Sequence, residues 1–282
     1  MKNLPGSPSR REVIQAGIAG TFAAGLGSET LAQEIDNRYK PFRMGFQSYT
    51  MRGYSLDEAL AMTKKFGIGF WESFPAHVPP DLDPAKAAAM LAKLKASNVK
   101  LAAYGVVGFD KDEAKARKSF DFAKLMGFDT LSADPTPDSF DMLDKLVEEY
   151  KVNIAIHNHG PEGRYNKISD TAKAIEGHHP RIGACVDTGH YLRGGEDPVL
   201  AVRTFGARTY GCHLKDVKGK NTFTILGEGD LDTVGVLRAL REVRFKGIVA
   251  LEYEEHEKDV APYVDLCLQA TRSAISKLKG QG

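Results

Sequence analysis

Titratable side chains recur in short clusters along this chain. They are Trp71-Glu72, His157-Asn158-His159-Gly160, Val186-Asp187-Thr188-Gly189-His190, Cys212-His213-Leu214-Lys215-Asp216 and Glu252. Imidazole nitrogens and carboxylate oxygens hold divalent cations, and the same groups move protons as general acids and bases. Each cluster ends an apolar run, such as 152–156 before His157 or 248–251 before Glu252. A charged group beside such a run is costly to bury unless it is paired or bound to a cation. One histidine in that setting is more often structural than a ligand. Four of the eight, His157, His159, His190 and His213, recur there together with carboxylates. That recurrence predicts one divalent metal site.

The elements that must gather these clusters follow from the hydrophobic pattern. Strand-like runs at 42–49, 68–74, 99–107, 129–133, 152–157, 182–187, 209–215 and 247–252 each precede a helix-like segment. The first helix opens on Ser55-Leu56-Asp57-Glu58, a capping residue with an acidic first turn, and stops at Gly67. The second carries Pro84 in its first turn. Repeated strand–helix units imply a parallel sheet. The first strand runs into Gln47-Ser48-Tyr49-Thr50-Met51-Arg52-Gly53, which lacks the glycine spacing of a dinucleotide-binding open sheet. The expected fold is therefore α/β, a single closed (β/α)8 TIM barrel over 41–282. In that fold the C-terminal strand ends carry the chemistry, and every cluster lies at one.

Composition narrows the ligand. The 282 residues balance 38 basic against 37 acidic side chains, with 42% hydrophobic residues, so a large core forms but no electrostatic footprint for nucleic acid exists. Three cysteines rule out a disulfide scaffold, and no apolar run is long enough to span a bilayer. Upstream of the barrel, Ser9-Arg10-Arg11 precedes a mildly apolar stretch containing Gly17, Gly20, Gly25 and Gly27, with Ala32 before a plausible cleavage point. This pattern resembles a twin-arginine export signal over 1–32, since four glycines would weaken a structural helix. Export implies a periplasmic or secreted protein and a substrate without phosphate. The sequence leaves the oligomeric state open, a homo-oligomer included.

From 42 to the C-terminus the chain resembles the xylose isomerase-like barrels. That superfamily includes sugar epimerases of the tagatose 3-epimerase type, inosose dehydratases and apurinic-site endonucleases. The most specific pieces are the segments around Asp187 and His213 quoted above and Leu226-Gly227-Glu228-Gly229-Asp230. In the family's epimerases a Glu, an Asp, a His and a second Glu from strands five to eight bind one divalent ion, and the two glutamates form the acid/base pair. The resemblance maps these onto Asp187, His213 and Glu252, and makes His190 the substrate- or metal-proximal histidine. Strand five departs: many relatives read Glu-Asn-His-Gly where this chain has His157-Asn158-His159-Gly160. The implied metal ligands are thus His157, Asp187, His213 and Glu252. With two carboxylates instead of three, the formal site charge is about zero rather than about −1. Mixed nitrogen and oxygen donors favour Mn²⁺, Co²⁺, Fe²⁺ or Zn²⁺ over Mg²⁺.

The missing carboxylate leaves Glu252 as ligand and base, with His159, Glu72 or Lys215 as recruits for a second proton transfer. His190, Trp71, Glu72 and Lys215 are the expected substrate contacts. Tyr49, Phe74 and Tyr104 either stack on a sugar or pack the barrel. Arg193 reads as a solvated loop charge, 253–257 as a solvated helix start, and Cys185 and Cys212 as buried thiols. The activity implied is metal-dependent isomerisation or epimerisation of an unphosphorylated sugar or keto-sugar through an enediolate. The alternative is elimination or hydration on a keto-sugar, keto-glycoside or cyclitol by a lyase or dehydratase. A non-catalytic sugar-binding barrel is the further alternative, while near-neutral charge counts against a DNA endonuclease.

Overall fold

A computed structural model describes residues 37–280 apart from residue 82, so the expected export signal over 1–32 lies outside the described residues. Seven strands come first: β1 (Arg43–Gln47), β2 (Phe70–Ser73), β3 (Lys100–Phe109), β4 (Thr130–Pro135), β5 (Asn153–His157), β6 (Ile182–Asp187) and β7 (Thr209–Leu214). An antiparallel hairpin of β8 (Asp216–Lys218) and β9 (Thr222–Thr224) follows, and then β10 (Ile248–Leu251). Strands β1 to β7 and β10 close a parallel barrel in the order β1-β10-β7-β6-β5-β4-β3-β2. Helices pack around it: α1 (Leu56–Phe66), α2 (Pro84–Ala96), α3 (Glu113–Met126), α4 (Phe140–Tyr150), α5 (Ile168–Ile175), α6 (Thr188–Gly194), α7 (Pro198–Phe205), α8 (Thr233–Glu242) and α9 (Ala261–Lys279). Among the described residues no helix is long and apolar enough to cross a membrane.

Local chemistry sets the helix limits. Ser55 and Glu58 form a reciprocal capping box at α1, and Gly67 closes that helix at φ 68°. Asp83 caps α2 ahead of Pro84, and Asp112 caps α3.

Strand parity divides the side chains. Phe46, Trp71, Leu131, Ile154, Ile156, Val186, Leu214, Val249 and Leu251 join the main core with helix residues such as Leu60, Leu143 and Leu237. Ala102, Ala103, Ile248 and Ala250, with Phe70, make a separate small cluster. Ala250 shares its parity with Glu252, Phe70 with Glu72, and Gly211 with His213, so functional groups continue the barrel-facing rows.

The segment after β7 is the β8–β9 hairpin followed by a loop tied to one carboxylate. Asp216 accepts hydrogen bonds from the backbone N–H groups of Val217 (2.8 Å), Gly227 (2.8 Å), Gly229 (3.1 Å) and Leu231 (3.0 Å). A Cβ on Gly229 would lie 2.2 Å from Asp216 Oδ1, which explains a glycine in the Gly-Glu-Gly segment. Asp216→Ala would leave these donors without their acceptor, and each costs ~1 kcal/mol or more when stranded. The expected result is a melting temperature lower by roughly 10 °C, read by differential scanning calorimetry.

Candidate metal centre and active site

Parity and register bring four side chains from successive strands to one point. The ligand atoms of His157, Asp187, His213 and Glu252 all lie within 4.8 Å of one another, and all four residues are buried. His157 Nε2 is 3.0 Å from His213 Nδ1 and 3.4 Å from Asp187 Oδ2. His213 Nδ1 is 3.1 Å from Glu252 Oε2 and 3.7 Å from Asp187 Oδ2. Asp187 Oδ2 and Glu252 Oε2 are buried without a well-formed hydrogen bond. Two nitrogens and two carboxylate oxygens converging in one buried cluster suit one divalent cation.

Lys215 adds charge to this cluster. Its Nζ is 3.0 Å from Asp187 Oδ2 and 2.9 Å from Glu252 Oε2, and it also contacts Glu254. Burial opposes ionisation of Glu252, but Lys215 and then His213 outweigh it and pull its pKa down to about 2. The same lysine holds Asp187 well below the usual carboxylate range against the opposing effect of burial. Burial also opposes charge on His213, yet its neighbours hold its pKa well above the ordinary value. The Cys185 thiol is itself pushed up by burial and stays neutral, so Glu72 and Glu252 carry that effect.

The Asp187-Thr188-Gly189-His190 turn explains its own sequence. Asp187 Oδ1 accepts from the backbone N–H of His190 (2.8 Å), which starts α6 directly at the end of β6. Thr188 Oγ1 donates to the carbonyl of Lys215 (2.6 Å), just past β7, and accepts from Lys215 N (2.9 Å). A Cβ on Gly189 would lie 2.7 Å from Lys215 Cγ, so only glycine lets the lysine pass. This short helix carries His190 to the site.

A cavity of about 370 Å³ opens beside the cluster, lined by Gln47, Tyr49, Phe74, His157, His159, His190, Lys215, Glu252 and Glu254 among others. Burial, followed by the effect of His157, lowers His159 to about 4, and burial lowers His190 to about 3, so both imidazoles are neutral near pH 7. Tyr49 and Phe74 meet edge to face at 5.4 Å on the cavity wall. Tyr104 instead packs on Phe122 and Phe128 and donates to Val78 O at 3.0 Å.

Two expected substrate contacts do not reach the cavity. Trp71 is fully buried on the helix side of β2, where its indole N–H donates to Thr63 Oγ1 (3.0 Å). Glu72 faces the barrel interior but is also fully buried, 2.9 Å from His213 Nε2. Its other oxygen accepts from Gln47 Nε2 at 3.1 Å. Both ring nitrogens of His213 stand beside carboxylates, in keeping with its raised pKa; a cation bound at Nδ1 would displace the proton there and leave Nε2–H facing Glu72. Glu72 is therefore a positioning residue. Glu72→Gln is expected to weaken Zn²⁺ affinity about 10- to 100-fold in a competition titration, with little change in melting temperature.

Two further readings change. Glu254 is not at a helix start, since α9 begins at Ala261, and its carboxylate meets Lys215 at the cavity. Period two would have placed it there, as Glu252-x-Glu254 parallels His213-x-Lys215. Arg193 is not simply solvated: its guanidinium lies over the Phe223 ring at 5.3 Å and beside His190. Cys185 and Cys212 are free and buried.

Comparison with known proteins agrees with this architecture. A family model described as xylose isomerase-like TIM barrel matches residues 138–271. The inosose dehydratase of Clostridium tetani is 27% identical over 132 residues, covering 40% of this chain and 44% of that protein. The chain thus spans only about half the length of the curated relatives it matches. An uncharacterised protein from Parabacteroides distasonis superposes with TM-score 0.64 at 26% identity, covering 86% of this chain and 99% of that one. The IolI protein, solved with a bound zinc atom, superposes with TM-score 0.68 at 18% identity, covering 84% and 99%. The described residues form a single closed, eight-stranded parallel TIM-barrel domain, and 138–271 within it match the xylose isomerase-like type.

Proposed function

We propose that this xylose isomerase-like barrel removes the proton beside the carbonyl of an unphosphorylated keto-sugar, keto-glycoside or keto-cyclitol. Glu252 is the base. The observation that carries the reading is its carboxylate, kept ionised by Lys215 at 2.9 Å, on the wall of the cavity. A carboxylate of such low proton affinity needs an acidified C–H, which a divalent ion held by His157, Asp187, His213 and Glu252 would supply by polarising the carbonyl. The mixed donor set favours Mn²⁺, Co²⁺, Fe²⁺ or Zn²⁺ over Mg²⁺.

Elimination of the β-oxygen substituent is the favoured fate of the enolate. Strand five offers imidazole where a second carboxylate base would stand, while Glu252 and Glu254 both touch the Lys215 ammonium. Lys215 can deliver a proton to the departing oxygen from that position. Similarity to an inosose dehydratase supports this reading. Isomerisation or epimerisation is the second reading, favoured by His159: neutral and on the cavity wall, it can act as a base where a family glutamate would. An export signal over 1–32 would put the reaction in the periplasm or outside the cell, where phosphorylated sugars are not the expected supply.

The test uses metal-loaded protein in D₂O with a 3-keto-glucoside and with 2-keto-myo-inositol, followed by mass spectrometry. Deuterium at the α-carbon with loss of the β substituent is the expected result. Deuterium without loss selects isomerisation or epimerisation. Neither deuterium nor product with any keto-substrate overturns the proposal.

A further inference from the structure

The geometry points to Arg193 as the residue that decides which nitrogen of His190 carries the proton, making His190 a fixed Nε2–H donor to a substrate oxygen rather than a base. Arg193 Nη1 lies 3.2 Å from His190 Nδ1. A guanidinium has donors and no acceptor, so Nδ1 must accept and keep its lone pair. In a neutral imidazole the proton then resides on Nε2.

Several contacts hold this arrangement. The guanidinium is seated 5.3 Å over the Phe223 ring, and the same ring meets His190 edge to face at 5.9 Å. Across the gap, a Cβ on Gly160 would lie 3.0 Å from Arg193 Nη1, so the glycine after His159 leaves room for the guanidinium. Among the described residues Arg193 makes no ion pair, which leaves its hydrogen bond to His190 as its polar anchor. From the other side, Asp187 Oδ1 fixes the His190 backbone N–H at 2.8 Å. His190 lines the cavity, and its Nε2 has no protein hydrogen-bond partner among the described residues.

A neutral N–H on the wall of such a cavity can stabilise negative charge as it develops on oxygen, without a proton changing hands. The catalytic consequence rests on the enolate reading proposed above; the tautomer itself does not. It also divides the two cavity histidines: His159 remains available as a base, and His190 does not.

Zinc-loaded, ¹⁵N-histidine-labelled protein is examined by two-bond ¹H–¹⁵N spectroscopy, without substrate, across neutral pH. Wild type is expected to show His190 as the Nε2–H tautomer alone. Arg193→Met should give a mixture of tautomers, and Arg193→Lys, which restores a donor, should return most of the Nε2–H form. With a turned-over keto-substrate, kcat of Arg193→Met should fall by the same factor as the Nε2–H population, roughly two- to tenfold, with KM unchanged. An Nδ1–H or doubly protonated His190 in wild type overturns the inference even if the variant fails to fold. So does a folded Arg193→Met protein with an unchanged tautomer, or a His190 nitrogen that shifts to a metal-bound position on zinc titration. Failure of every keto-substrate would sink the functional reading and leave the tautomer measurement standing.

Discussion

Glu252→Gln is expected to lower kcat by about 10³- to 10⁴-fold, measured as deuterium wash-in at the substrate α-carbon. The side chain is isosteric, so the barrel-facing row that ends in Ala250 and Glu252 keeps its packing, and the melting temperature should barely move. What disappears is the basicity that takes the proton. Glu252 Oε2 sits 3.1 Å from His213 Nδ1 and 2.9 Å from Lys215 Nζ, and the amide must turn either its oxygen or its NH₂ toward these groups. With oxygen inward the variant still ligates, more weakly, and Zn²⁺ affinity should fall by roughly an order of magnitude. The two effects separate: saturating metal restores occupancy but not exchange. Exchange that survives within tenfold of wild type at saturating metal would move the base to His159 and favour the epimerase reading.

The strands and their order were legible because period-two apolar rows and helix caps are local signals. Val186-Asp187 and Leu214-Lys215 announce a strand end by the abrupt change from apolar to charged, and the observed β6 and β7 end at Asp187 and Leu214. The same signals put these strand ends at one barrel mouth, the family resemblance picked out His157, Asp187, His213 and Glu252 among them, and the barrel brings the ligand atoms of those four within 4.8 Å. Three further side chains expected at the cavity, His159, His190 and Lys215, line it.

Depth and pairing were not legible. Trp71 and Glu72 are adjacent, so parity sends one to the helices and the other into the barrel. Chain order cannot say that the inward one stops below the cavity against His213 Nε2. Glu254 was lost in a run of acids because composition suggested solvent, although its spacing from Glu252 matched that of the other paired positions. The Asp216 knot joins residues up to 15 apart through backbone N–H groups, which have no identity in a sequence. Arg193 shows the same limit. Its partner His190 is three residues away on a helix, a spacing that permits contact, but the hydrogen bond depends on Phe223 arriving from the hairpin.

His157→Glu tests the strand-five position where the chain departs from the pattern of the family it resembles. The expected result is a swing of roughly 100-fold in metal preference toward Mg²⁺ relative to Zn²⁺, read by paired titrations. His157 contributes Nε2 to the cluster, while its Nδ1 is buried with no hydrogen-bond partner, so no acceptor orients the ring and the exchange strands none. The new carboxylate would face Asp187, whose oxygen lies 3.4 Å from the present imidazole nitrogen, and would join Glu252 and Glu72 in one buried pocket. Without a cation, like charges at such distances disfavour one another, and the metal-free variant should melt several degrees below wild type. A bound divalent ion reverses that sign, so the stabilisation on adding metal should exceed that of wild type. On the chemical side, a second carboxylate returns a base to strand five, and exchange from the opposite face of the substrate should rise relative to elimination. Unchanged metal preference together with unchanged product ratio would mean that His157 neither ligates nor sets the reaction, and the centre would have to be rebuilt around Asp187, His213 and Glu252 alone.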